Sequence, residues 1–202
     1  SAVTLVILAL LAASIWTRGV SGKPLSAVAS TVFGVLYTGV TLSFGYALRY
    51  YPYAIGAAAG AAVVGLPVIL TWASDTGAYF VGRALGKRKL IPSVSPGKTV
   101  AGAVGALVVT VLVCLLYSRF VLRPTAQLAF TPLRAAVFGL VISVVAQVGD
   151  LVESLLKREA GVKDSSHVIP GHGGVLDRFD SLLFVLPVAF PLLLSLLVPA
   201  PL

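Results

Sequence analysis

Methionine is absent from this 202-residue chain, cysteine occurs once, and there are only 7 acidic residues and 2 histidines. Without methionine the first residue is not an initiator, so the sequence reads as a processed chain or a portion of a longer one. Cys114 stands alone inside an apolar run, which excludes an intrachain disulfide and a thiolate metal cluster. Charged residues make up 11% of the chain, against about 25% in an ordinary soluble domain. That is too little polar surface to coat a globule in water. The zinc-protease helix HExxH and the nucleophile elbow GxSxG are both missing. The opening apolar stretch, residues 2–15, has no basic leader before it. It reads as a remnant or partial membrane helix and not as a signal peptide.

Apolar residues are abundant, at 58% of the chain, and the mean hydropathy is +1.00. A spanning helix takes about 20 apolar residues. Candidates lie at 2–16, 26–48, 53–74, 99–118, 134–157 and 181–198. Backbone in lipid must satisfy its own hydrogen bonds, so these runs predict helices. The expected fold is all-α, a polytopic integral membrane protein with about six transmembrane helices. Residues 1–70 form N-terminal spans and 71–202 the part that carries polar chemistry. Tyr46, Tyr50, Tyr51, Tyr53 and Trp72 fall near span ends as an interfacial belt. The small residues of 56–62 permit close helix packing, within one chain or in a homodimer.

Charge supplies the orientation. Most of the 15 basic residues fall in alternate connections, at Arg18 and Lys23, then Arg83–Lys98, then Lys157–Arg178. Only Arg49, Arg119, Arg123 and Arg134 fall in the others. The cation-rich side is expected in the cytoplasm. In a membrane protein the net charge of +8 sets topology and attracts lipid headgroups, so no nucleic-acid partner is expected. All 7 acids, Asp75, Asp150, Glu153, Glu159, Asp164, Asp177 and Asp180, belong to that same side. Such one-sidedness predicts a single polar site at the cytoplasmic surface.

Three segments carry candidate chemistry. In the fifth span Asp150, Glu153, Ser154 and Lys157 recur at helical spacing on one face. Asp150 lies about 10 Å along the axis from Lys157. A carboxylate inside the hydrocarbon costs about 2.5–3.5 kcal/mol on insertion scales, so it requires a partner, a cation or a water-filled cavity. The following loop, 157–180, holds both histidines, His167 and His172, with Gly171, Gly173 and Gly174. Those glycines allow the close backbone approach that phosphates require. Asp177 and Asp180 stand one turn apart at the start of the last span, where they can cap it. Together with Asp150 they also form a hard-oxygen set suited to Mg²⁺, with a second metal or a monovalent cation as an open alternative. Lys157, Arg158, Lys163 and Arg178 match substrate phosphates. The third segment begins at Asp75, at the end of a span, and includes Ser95, Lys98 and Thr99 before the next helix. Gly97–Thr99 reads GKT, but the glycine a P-loop requires falls at Pro92 and no strand is expected before it. Arg83, Lys87, Arg88 and Lys89 read as a topology-setting loop.

Residues 154–180 carry Ser154, Lys157, Arg158, Lys163, Asp164, Ser166, Ile169, Pro170, His172, Gly173, Gly174, Val175, Asp177, Arg178, Phe179 and Asp180. In that spacing they resemble the signature of the phosphatidate cytidylyltransferases (CDP-diacylglycerol synthases) of bacterial type. Ser74–Phe80 and Ser95-Pro96-x-Lys98-Thr99 are also similar, so the resemblance covers about 70–185. It departs at Val100-Ala101-Gly102, where the family often has Trp-Glu-Gly. The resemblance implies that CTP and phosphatidate, a membrane lipid, react to give CDP-diacylglycerol and pyrophosphate. It implies a multi-pass protein of the inner (plasma) membrane with its active site facing the cytoplasm. Catalytic roles are then expected for Ser154, Lys157, His172 and Asp177, and metal binding for Asp150, Asp177 and Asp180. Substrate contacts are expected from Asp75, Lys98, Thr99, Arg158, Lys163, Gly173, Gly174 and Arg178. Two other readings stand beside it, a CTP-dependent polyprenol or phytol kinase and a cation-coupled transporter.

Overall fold

The computed structural model describes residues 2–52, 54–166, 168 and 173–200. Helices α1 (Ala2–Thr17), α2 (Pro24–Arg49) and α3 (Ala57–Leu85) come first. A small antiparallel hairpin follows, with β1 at Lys89–Ile91 and β2 at Ser95–Thr99. Helix α4 (Val100–Tyr117) runs through a π-helical turn (Ser118–Leu122) into the short α5 (Arg123–Ala126). Then come β3 (Leu128–Ala129), α6 (Pro132–Glu159), α7 (Leu176–Leu196) and β4 (Val198–Pro199), which pairs with β3.

All the expected spans are helical. Five helices are long and apolar enough to cross a membrane, and this is a multi-pass membrane protein. The first, α1, has 16 residues and falls short of a full span. The third differs most from the sequence reading, continuing to Leu85 instead of ending near 74. Gly77 and Gly82 do not break it because α4 packs directly on them. A Cβ at Gly77 would lie 2.9 Å from Val109 Cβ, and one at Gly102 would lie 2.6 Å from the Ala78 carbonyl oxygen. Asp75 is therefore inside a helix and not at its end. The hairpin is a second difference, a little sheet in a fold expected to be all helix. Its strands are too short to show period-2 alternation.

The chain divides into two packing units, Ser1–Ser43 and Phe44–Leu202. In the first, Leu25, Phe33, Val35 and Val40 are exposed apolar side chains, as a lipid-facing helix requires. The second holds the site. The division falls within α2, and the first half of α3 belongs to the core of the larger unit. Ala59, Gly60, Ala62, Val63, Leu66 and Leu70 are buried there. The small residues expected to serve an interface between helices are thus used inside the chain. Phe138, Ile142, Val185, Ala189 and Leu193 complete this core from α6 and α7.

Polar bonds tie the apolar helices together. The Tyr117 hydroxyl donates to the Ala62 carbonyl at 2.9 Å, and the Tyr51 hydroxyl to that of Leu193 at 3.0 Å. Ser74 and Ser143 share a buried hydrogen bond of 3.0 Å between α3 and α6. Thr99 caps α4, its side chain accepting from the Gly102 N–H at 3.1 Å.

Candidate active site

The polar ends of α3, α6 and α7 meet at the hairpin side of the larger unit. Helix α6 brings Gln147, Asp150, Glu153, Ser154 and Lys157 to that end in successive turns. Two linked clusters form there.

The first is centred on Lys157. Its Nζ lies 2.6 Å from Glu153 Oε2 and 2.7 Å from Asp177 Oδ1. The Glu153 side chain is 1% exposed and that of Asp177 7%. One ammonium is therefore shared by two buried carboxylates. Asp177 Oδ2 accepts from the Ser165 N–H at 2.9 Å, the Ser165 hydroxyl at 2.7 Å and the Gly174 N–H at 2.6 Å. Asp177 thus fastens Ser165 and Gly174 to the first turn of α7, and its role here is anchoring. It is not the cap residue of α7, which is Val175. Gly173 makes this possible, since its φ is +76° and a Cβ would stand 2.7 Å from Asp177 Oδ2.

The second cluster surrounds Asp150. Lys98 reaches from β2 to place Nζ 2.6 Å from Asp150 Oδ2. Ser154 Oγ donates to Asp150 Oδ1 at 3.4 Å. Asp75 from α3 and Asp180 from α7 both feel the charge of Asp150. Three helices therefore direct carboxylates at one region, with Lys98 as the nearest counter-charge.

Beside this cluster opens a cavity of about 550 Å³, within the range of ligand sites. Asp75, Lys98, Thr99, Gln147 and Asp150 line it, and so do Arg83 and Lys89. Arg83 and Lys89, read from the sequence as topology signals, thus also border the cavity. Arg83 is steered by Tyr79, whose hydroxyl accepts from Nη1 at 2.8 Å. Gln147 was missed as well, though its position one turn before Asp150 on the same helix face was visible. Its Nε2 donates to Ser143 Oγ at 3.3 Å and to the Ala103 carbonyl at 3.4 Å. Glu153 had been placed on the acidic face without a role, and Ser165 was overlooked.

Other expected residues lie further out. Arg158 is exposed and donates to the Val162 carbonyl at 3.4 Å, closing the turn after α6. Lys163 and Arg178 are exposed. His172, and with it His167 and Gly171, lies outside the described residues.

The donors suit a hard cation in kind. Asp75, Asp150 and Asp180 offer carboxylate oxygens only, and Mg²⁺ takes one or two of these with water and substrate phosphates. Among the described residues no group of three or more histidine, cysteine, aspartate or glutamate side chains is placed to hold a metal ion.

A helical domain with long apolar helices and with cations and carboxylates around a cavity defines the class, an integral membrane protein with a polar site. The comparisons with known proteins narrow it. The chain belongs to the cytidylyltransferase family, whose model matches residues 1–196. It is 48% identical over 125 residues to the phosphatidate cytidylyltransferase of Bacillus subtilis, covering 62% of this chain and 45% of that protein. With the protein of the same name from Staphylococcus saprophyticus it shares 47% over 128 residues, 63% and 47% of the two chains. The Staphylococcus epidermidis protein is 39% identical over 164 residues, 81% of this chain and 58% of that one. The chain spans about half the length of these curated relatives.

Proposed function

We propose that this protein transfers the cytidylyl group of CTP to phosphatidate, forming CDP-diacylglycerol and pyrophosphate for phospholipid synthesis. The observation that carries this is the cavity in which Arg83, Lys89 and Lys98 face the carboxylates of Asp75 and Asp150. Cations bind a polyphosphate there, and the carboxylates supply a place for its divalent counter-ion. A phosphate oxygen of the lipid attacks the α-phosphorus of CTP. The bond from that phosphorus to the oxygen bridging to the β-phosphate breaks, and pyrophosphate leaves with the electron pair. Such a transfer needs positioning and charge neutralisation more than covalent help from the protein.

In this mechanism Arg83, Lys89 and Lys98 bind the nucleotide phosphates. Lys157 exchanges Asp177 for a substrate phosphate, while Glu153 stays as its fixed partner. Ser154 and His172 orient the reacting groups, and Arg158, Lys163 and Arg178 attract the lipid headgroup. Gly173 and Gly174 let the loop backbone approach it. Asp150, Asp177 and Asp180 are the residues that would hold Mg²⁺, which would supply neutralisation of the triphosphate charge. The cation-rich connections favour the cytoplasmic face of the plasma membrane for this site, where CTP is dissolved.

The test uses CTP labelled at the α-phosphate, phosphatidate and MgCl₂ with the purified protein in detergent. Label is expected in the lipid extract, and is lost with EDTA and in Asp150→Asn. Label reaching lipid only from γ-labelled CTP and an alcohol acceptor would replace this reading with a lipid kinase.

A further inference from the structure

The connections of the larger unit away from the site carry few cations, and all of them are guanidinium: Arg49, Arg119, Arg123 and Arg134, with no lysine and no acid. Two of them share one structure. Arg119 lies in the π-helical turn that follows α4, and Arg123 opens α5 four residues later. Like charges at that spacing repel. π-Turns are rare and occur frequently at functional sites.

The two arginines border a cavity of about 350 Å³ whose walls include Leu115, Leu116 and Phe130. Its shape is fixed by Ser118, whose hydroxyl accepts from the Phe130 N–H at 3.0 Å. Leu116 is 56% exposed and Phe120 66%, so the groove opens on the lipid-facing flank. Arg119 packs over the Phe120 ring at 5.9 Å from its centroid, which keeps the guanidinium at the apolar edge. The site thus combines an apolar floor, a cationic rim and an interfacial position.

We infer that this groove binds an anionic phospholipid from the leaflet opposite the active site. Its acyl chains lie along Leu115, Leu116 and Phe130, and its phosphate meets Arg119 and Arg123. The planar fork of arginine matches phosphate oxygens two at a time, which lysine does not. A free phosphate would gain nothing from the apolar walls. The inference rests on the membrane placement of the helices and not on the proposed reaction.

Native mass spectrometry of the detergent-purified protein tests it, with dioleoyl phosphatidylglycerol, dioleoyl phosphatidylcholine and inorganic phosphate as probes. Phosphatidylglycerol should bind, and each arginine removed should weaken that adduct about tenfold. Arg119→Gln/Arg123→Gln should therefore lose it, while Lys87→Gln, an exposed change at the opposite end, should keep it. Arg119→Lys/Arg123→Lys should retain only part of it. Equal binding of phosphatidylcholine would overturn the role of charge, and equal binding of inorganic phosphate that of the apolar walls. An unchanged adduct in the double glutamine variant would overturn the site itself. A melting curve without lipid shows whether that variant is folded. If it is not, Arg119→Gln alone is read by the same criteria.

Discussion

Replacing Lys157 with methionine removes the one cation that two buried carboxylates share. The consequences for the two differ. Asp177 keeps three hydrogen bonds, from the Ser165 N–H, the Ser165 hydroxyl and the Gly174 N–H. Glu153 is 1% exposed and keeps none, since its Oε1 has no hydrogen-bond partner among the described residues and its Oε2 meets only Lys157. Breaking a buried ion pair by deleting one member costs about 3–5 kcal/mol, and here the cost falls on Glu153. Glu153→Gln alone leaves Lys157 paired with Asp177 and should cost only about 1 kcal/mol. Adding Glu153→Gln to Lys157→Met should therefore recover stability, with a coupling energy of about 2 kcal/mol. SDS-driven unfolding from mixed micelles measures all four proteins, with Trp72 in α3 as the fluorescent reporter. If the two substitutions add to within about 0.5 kcal/mol, Glu153 and Lys157 are not coupled and the shared-cation account is wrong.

Thr99→Val removes the cap of α4 and should cost about 1 kcal/mol in the same unfolding assay, whereas Thr99→Ser should be close to neutral. Gly102→Ala forces a Cβ to within 2.6 Å of the Ala78 carbonyl. It should destabilise by about 1–3 kcal/mol and raise KM for CTP, because α3 and α4 both line the cavity. Arg83→Gln and Lys89→Gln should each raise KM for CTP about tenfold and leave KM for phosphatidate unchanged in steady-state assays. Tyr79→Phe should reproduce part of the Arg83 effect by freeing the guanidinium.

The helices were legible because long apolar runs admit few alternatives, and the sidedness of the acids already marked one end as the site. What was illegible has specific physical causes. Gly77 and Gly82 look like breakers in isolation but are contact points in a packed pair, so α3 was cut short and Asp75 misplaced. Lys98 and Asp150 meet only because β2 lies against α3 and α4, next to the end of α6, a relation that no local spacing encodes. Arg83 and Lys89 carried a sufficient explanation as topology signals, and only the cavity gives them a second one. Gln147 could have been found by extending the Asp150–Lys157 helix face one turn inward. The fastening of Asp177 by Ser165 and Gly174 depends on a loop conformation that sequence pattern does not specify.

The lengths of α3 and α6 have a consequence for where the site works. With 29 and 28 residues they measure about 43 and 42 Å. The hydrocarbon core is about 30 Å thick. Their apolar portions end just before Asp75 and Asp150, so the surplus length lies on the acidic side. Both carboxylates then stand at the hydrocarbon boundary, where hydrophobic mismatch is felt first. A thinner bilayer bathes them in headgroup water, and a thicker one tilts the helices or thins around them to keep them wet. The dielectric in which Asp75, Lys98 and Asp150 operate is therefore set partly by the host membrane. The acyl-chain length of the surrounding bilayer becomes a control variable for this protein.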